Sequence, residues 1–344
     1  MNVSFPPPAS WRERLLRPAT VHQAVQTSFF LFFVVVGVQF TLYALWAMGL
    51  SEVYVPKPAS VAAFLPISGL MSLKRLMVNG VYDAIHPAAL TILLMALIVS
   101  LLFRKGFCGY LCPIGWLSFR LDRLGKRLGI SRQPGRVVSF LLSVPKYVIM
   151  ANLVSFVVRS MSVAEIDAFS RSPYNLVVDT RMLLLFANPS ATFLVILMVL
   201  VVGSLLIPSF WCRGFCPYGA LLGIVACLSP SAVRRDPSLC VGCKACSRAC
   251  PSRIPVHAKR RVSGPECIGC TECVGACPQD GCLTVRFGFL PQAPVIPFWA
   301  MALGSVAVVA VLYTWAVATG HWSADVPKAM VRMLHSRIGT FSHP

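Results

Sequence analysis

Long apolar runs separated by short charged segments organise most of this chain. Five runs approach the length needed to cross the roughly 30 Å hydrocarbon core of a bilayer: residues 28–50, 87–103, 137–158, 191–207 and 295–317. Each is apolar on every face, the pattern of a helix whose solvent is lipid or other helices. The second and fourth are near the minimum length. The first is too long for the apolar core of a signal peptide, and no small-residue cleavage site follows it, so it is expected to stay. Between the fourth and fifth runs the pattern changes to a polar, Cys- and Gly-rich stretch that predicts a small α+β unit. Four segments result: 1–27, an N-terminal arm; 28–230, a four-span membrane domain; 231–290, the insert; and 291–344, a fifth span and a tail. Within the tail, residues 325–338 read as a short amphipathic helix. The loops 51–86 and 159–190 read as mostly solvated, with 64–73 apolar enough to lie at the interface or re-enter the membrane.

Charge orients these segments. Of 31 Lys and Arg residues, 21 fall in the N-terminal arm and in the second-to-third and fourth-to-fifth connections, against nine elsewhere. The short second-to-third connection alone holds eight. The positive-inside rule then puts the N-terminus and the insert in the cytoplasm and the tail outside, in a bacterial inner membrane. The formal net charge of +19 follows this topology and suits an anionic leaflet. No helix-turn-helix or aromatic platform accompanies it, which excludes nucleic acid as the partner. Lys146 is the single charge inside a run. Two readings stand: a functional cation near a quinone, or a side chain that snorkels to the headgroups. So few buried charges exclude a pump.

Eight of the fourteen cysteines form two copies of one string, Cys240-x2-Cys243-x2-Cys246-x3-Cys250-Pro251 and Cys267-x2-Cys270-x2-Cys273-x3-Cys277-Pro278. This is the ligand spacing of a two-cluster bacterial ferredoxin, in which the Cys before each proline serves the other cluster. Cys240, Cys243, Cys246 and Cys277 are expected to hold one [4Fe–4S] cluster, and Cys267, Cys270, Cys273 and Cys250 the second. Zinc seldom takes four Cys at this spacing. The expected fold is thus an all-α transmembrane bundle of five helices with a small α+β, two-[4Fe–4S] ferredoxin-like cytoplasmic insert of βαβ type.

A second pattern also occurs twice. Cys108-x3-Cys112-Pro113-x-Gly115 follows the second run and Cys212-x3-Cys216-Pro217-x-Gly219 follows the fourth. Both leave the membrane on the same face, and each Pro is expected to end or bend the local helix. If the two halves pack about an axis along the membrane normal, the four thiols converge. A third cluster, a zinc or cuprous ion, and a dithiol switch all fit such a site. Cys227 and Cys282 read as packing residues. The six histidines, His22, His86, His257, His321, His335 and His343, offer no c-type haem motif, and only His86 lies near a run, so haem is not expected. His257 reads as a surface or packing residue. No nucleotide-binding fingerprint is present.

The paired Cys-x3-Cys-Pro motifs with a double ferredoxin run resemble a family of polytopic iron–sulfur proteins. It includes the ferredoxin-type membrane subunit of nitrate-reduction systems, the membrane half of the nitrous-oxide regulator and the iron–sulfur assembly factor of cbb3 oxidases. Residues 64–73, 105–115 and 210–220 are similar to its electron-transport branch. The resemblance implies quinol-linked or ferredoxin-linked electron transfer between a cytoplasmic or membrane redox protein, the clusters and a quinone. The rival roles are a copper reductase or assembly factor for a respiratory enzyme, and a cluster-based redox sensor. A one-electron relay makes no bond to a substrate, so no catalytic residue is assigned.

Overall fold

A computed structural model describes residues 17–341 except 133 and 291. Arg12, Arg14 and His343 therefore lie outside the described residues.

Helix α1 (Pro18–Ala47) starts with proline at its first position, where the missing N–H costs nothing. Its 30 residues rise about 45 Å, well beyond a hydrocarbon core. It starts ten residues before the expected run, and this extra length carries His22 and Gln26, both buried. A 3₁₀ turn (Ala59–Phe64) and α2 (Pro66–Asn79) follow. The stretch expected to be interfacial is instead packed: Ser68, Gly69, Met71 and Ser72 are buried. Helix α3 (Pro87–Phe103) is the axis of the molecule, sheathed by α2, α10 (Pro217–Cys227) and α13 (Trp299–Ala318). Eleven of its 17 residues are buried.

Helix α5 (Arg136–Ser155) continues through a π-turn, and in the apolar stretch Val137–Ser160 only Lys146 and Val157 are buried. Helices α7 (Pro173–Ala187) and α8 (Ala191–Leu206) meet at a 79° bend. Among the described residues, three helices are long and apolar enough to cross a membrane, or four if this bent pair counts as one span, and they make this a membrane protein. The expected count of five is not reached on length alone, because α3 and α8 are apolar but only 17 and 16 residues long. The expected solvated loop 159–190 is corrected too. It is largely helical, and Asp179 is buried there against Lys57.

The insert is a four-stranded sheet in the order β2-β1-β3-β4: β1 Ser231–Arg235, β2 Arg261–Val262, β3 Leu283–Phe287 and β4 Val295–Ile296. Every pairing is antiparallel, so among the described residues the insert holds no parallel βαβ unit. Strand β4 uses residues expected to begin the fifth span, and α13 starts only at Trp299. Two short helices, α11 (Ala245–Ala249) and α12 (Glu272–Gly275), carry the middle of each cysteine run. The tail helix, α14 (Lys328–His335), folds as expected but is anchored: His335 Nε2 and Thr180 Oγ1 are 3.0 Å apart.

Candidate iron–sulfur sites

Three groups of cysteines come together, two in the insert and one where the insert meets the helices. In the first, Cys240, Cys243 and Cys246 of one run and Cys277 of the other line a single small cavity. Arg235, His257 and Cys282 complete its wall. His257 is held by Ser247 Oγ at 2.8 Å. Cys282, expected only to pack, is buried on this wall, its thiol 3.6 Å from the Asp236 carbonyl. In the second group, Cys273 interacts electrostatically with Cys267 and Cys250, and Cys270 with Cys250 and Cys273. Cys273 also feels Cys246, so the two groups are neighbours inside one hydrophobic core built on Val233, Val262 and Val285. Burial pushes the Cys250 thiol up to about 11.

The third group is the twin motif. Cys108, Cys112, Cys212 and Cys216 line one cavity of about 290 Å³, together with Lys105, Ser118, Tyr218, Glu266 and Ile268. The motif's proline does not end a helix here. Pro113 and Pro217 each begin one, α4 (Pro113–Arg127) and α10, with Cys112 and Cys216 as their N-caps. The reason is that an N1 proline leaves no orphan donor and presets the backbone. At the second motif the glycine two residues after the proline donates its N–H to the capping sulfur, Gly219 to Cys216 at 3.3 Å. A side chain at Gly115 would put its Cβ 2.5 Å from the Cys108 carbonyl oxygen, which explains the glycine. Two helix N-termini thus aim their positive ends at the cavity. Cys108 sits in a π-turn (Phe107–Leu111) and Cys212 in the short helix α9 (Phe210–Gly214).

Two buried lysines add charge. Lys105 is 4 % exposed and lines the cavity. Burial works against its charge, but Cys108, Glu266, Cys212 and Cys216 outweigh it and raise its pKa. Burial pushes Cys108 up to about 12 and Cys212 to about 11, so a metal centre entering here displaces protons. Lys146 does not snorkel. It is fully buried and pairs at 2.5 Å with Glu266 of the insert, which itself lines the cavity. Among the described residues, no three His, Cys, Asp or Glu side chains close on a single ion. The twin-motif thiols ring a volume, not a point.

The second and third groups share a seam. Lys105 N–H donates to the Cys267 carbonyl (3.3 Å) and Tyr110 hydroxyl to the Gly269 carbonyl (2.9 Å). Arg104, buried at positive φ (62°), donates to the carbonyls of Ala226 and Gly264. His22 bridges Glu272 (2.8 Å) and the Gly109 carbonyl (2.9 Å). Gly109 lies so close to Ile268 that a Cβ would meet its carbonyl oxygen at 2.5 Å. These seam residues carried no sequence signal beyond their charge, because their partners lie as much as 250 positions away. Cys227 is exposed, and its thiol donates to the Gly223 carbonyl of its own helix.

A family described as "4Fe-4S dicluster domain" matches residues 232–278. A second, "4Fe-4S binding domain", matches twice, at 85–131 and 190–235, each match carrying one Cys-x3-Cys-Pro motif. The chain is 33 % identical over 300 residues to YccM of Escherichia coli, named as a candidate electron transport protein, covering 85 % of this chain and 83 % of that one. It is 32 % identical to the protein NirI of Paracoccus denitrificans, over 45 % of this chain and 22 % of NirI. It is 27 % identical to the ferredoxin-type protein NapH of Haemophilus influenzae, over 52 % and 60 %. No solved structure matches.

Proposed function

The chain belongs to the ferredoxin-type membrane electron-transport family, and we propose that it relays single electrons along three iron–sulfur centres. The two in the insert are assigned to Cys240, Cys243, Cys246 and Cys277, and to Cys267, Cys270, Cys273 and Cys250. The third is a [4Fe–4S] cluster on Cys108, Cys112, Cys212 and Cys216. Bound clusters supply one-electron redox chemistry. The residues around them hold, insulate and tune.

One observation carries the third assignment: four thiols, a buried lysine and two helix N-termini face one cavity. A buried ammonium among neutral thiols is costly, and the carboxylate on the cavity wall, Glu266, is already paired with Lys146. A cubane on four thiolates is an anion, and Lys105 offsets its charge. The Gly219 N–H bond to Cys216 does the same at that sulfur. The seam from Lys105 to Cys267 puts this cavity against the second insert group, so an electron would cross from insert to membrane over a short packed path. Phe33, Phe64 and Pro66 wall the far side of the cavity, supporting exchange with a quinone or a membrane partner there. In this reading α3 and α8, short but apolar, complete five crossings of a bacterial inner membrane, with the insert in the cytoplasm.

Iron and acid-labile sulfide per chain, with low-temperature EPR, test the assignment on anaerobically purified protein. Wild type is expected to hold about twelve iron, and the variant with Cys108, Cys112, Cys212 and Cys216 all changed to Ser about eight. Eight in both removes the third centre. Stoichiometric copper that depends on those four cysteines turns the reading to metal reduction. Fewer than about four iron in well-folded wild type defeats the cluster relay altogether.

A further inference from the structure

We propose that the surface over the first insert group is the docking site of an acidic, soluble one-electron carrier protein. The inference rests on the relay above and names its outer partner. Residues 237–244 are exposed except for Cys240, and the hydrogen bonds of residues 236–248 stay within the insert. The bonds that fasten the insert to the helices run instead through residues 229–231 and 264–272. The first group is thus the one left open to a visitor, and Cys243 is itself exposed.

The surface has the make-up of a transient interface, an apolar centre inside a charged rim. Leu239 and Val241, 45 % and 62 % exposed, stand on the loop that carries Cys240 and Cys243. Lys244 and Arg248 flank them, and Arg248 Nη1 donates to the Cys243 carbonyl at 2.9 Å. Arg235 lines the cavity wall and reaches the Lys259 carbonyl at 3.4 Å, which brings exposed Lys259 and Arg260 to the same side. Two acids share the surface, Asp236 and Asp280, and Asp236 is engaged by Ser238 at 2.6 Å. Five cations against two anions leave a net positive field around the most accessible centre. Such a field steers an acidic partner and raises its encounter rate by ten- to a thousand-fold at low salt.

The step balances simply. One electron leaves the reduced carrier, which is oxidised, and enters the centre held by Cys240, Cys243, Cys246 and Cys277, which is reduced, with no bond made or broken.

The test uses the full chain in nanodiscs of zwitterionic lipid, with a plant-type [2Fe–2S] ferredoxin as the acidic probe and methyl viologen as a small cationic control. Binding of the oxidised ferredoxin and stopped-flow reduction by its reduced form are both measured from low to high salt. Wild type is expected to lose at least about tenfold in both between 20 and 500 mM salt. Lys244→Glu/Arg248→Glu, and separately Lys259→Glu/Arg260→Glu, are expected to weaken both at low salt while viologen reduction and the EPR signals stay unchanged. The second pair lies away from the ligand loop, so it decides if the first disturbs the cluster. Salt-independent binding, or unchanged binding in the second pair, overturns the proposal. So does a loss seen only as weaker association with anionic-lipid vesicles, which assigns the patch to the membrane. A wild type without cluster EPR signals defeats the relay and not the surface, because binding of the oxidised probe needs no cluster here.

Discussion

Glu266 stands between two buried lysines, and its removal has consequences at both. Lys146 is fully buried with Glu266 as its ion partner, while Lys105 lines the thiol cavity. Breaking a buried pair costs about 3–5 kcal/mol because the surviving charge is stranded, whereas removing both partners is often near neutral. Glu266 is partly exposed, so its own stranding is milder than that of Lys146. Glu266→Gln is therefore expected to destabilise by about 3 kcal/mol. Lys146→Met alone should cost less, and the double variant should recover most of the loss, all read by thermal denaturation in detergent. Lys105→Met acts on the other side. It deletes the cation nearest the twin-motif thiols, so the midpoint potential of any centre there should fall in an EPR redox titration, while both insert centres keep theirs. An unchanged midpoint would mean that Lys105 only packs.

Among the elements, the twin Cys-Pro-x-Gly turns look alike in sequence but differ in tightness. A Cβ on Gly115 meets the Cys108 carbonyl at 2.5 Å, whereas on Gly219 the nearest atom is the Cys216 sulfur at 3.5 Å. Overpacking of a rigid backbone costs about 1–3 kcal/mol, and ordinary contact costs little. Gly115→Ala should thus deplete iron at the twin motif and Gly219→Ala should not, as counted by iron per chain. Equal losses would show that the two turns are equally strained. The glycines, prolines and cysteines of these turns were legible in the sequence because their spacing is local. So were the double run and the apolar segments. What the spacing hid was the direction of the proline effect: a proline one residue after a capping Cys starts a helix as readily as it stops one. The span count was legible only in part. Apolar runs of 17 and 16 residues at α3 and α8 report lipid and buried core identically, and only packing tells that α3 is mostly core. The Lys146–Glu266 pair joins positions 120 apart, which no periodicity records.

At the scale of the whole molecule, the seam decides whether the insert and the helical body act as one conductor. It is polar and closely packed: His22 to Glu272 and Gly109, Tyr110 to Gly269, Arg104 to Ala226 and Gly264. Tyr110 and Arg104 donate to the insert carbonyls of Gly269 and Gly264, and His22 pairs with the insert's Glu272, so losing one leaves a buried carbonyl or carboxylate unmet at about 1–3 kcal/mol. None of these groups is a cysteine, and although Tyr110, Leu111, Met301 and Ala302 of the helices share the core around the insert thiols, the insert's own Val233, Val262 and Val285 remain in it, and Tyr110→Phe keeps the ring. Loosening the seam should therefore leave the insert's iron in place and lengthen only the gap to the twin motif. For His22→Ala/Tyr110→Phe, the expected result is full insert iron, faster proteolytic release of the insert, and slower reduction of the twin-motif centre after rapid reduction of the insert by viologen. Normal transfer in a loosened protein would show that electrons do not pass through this seam, and the path would have to be sought around it.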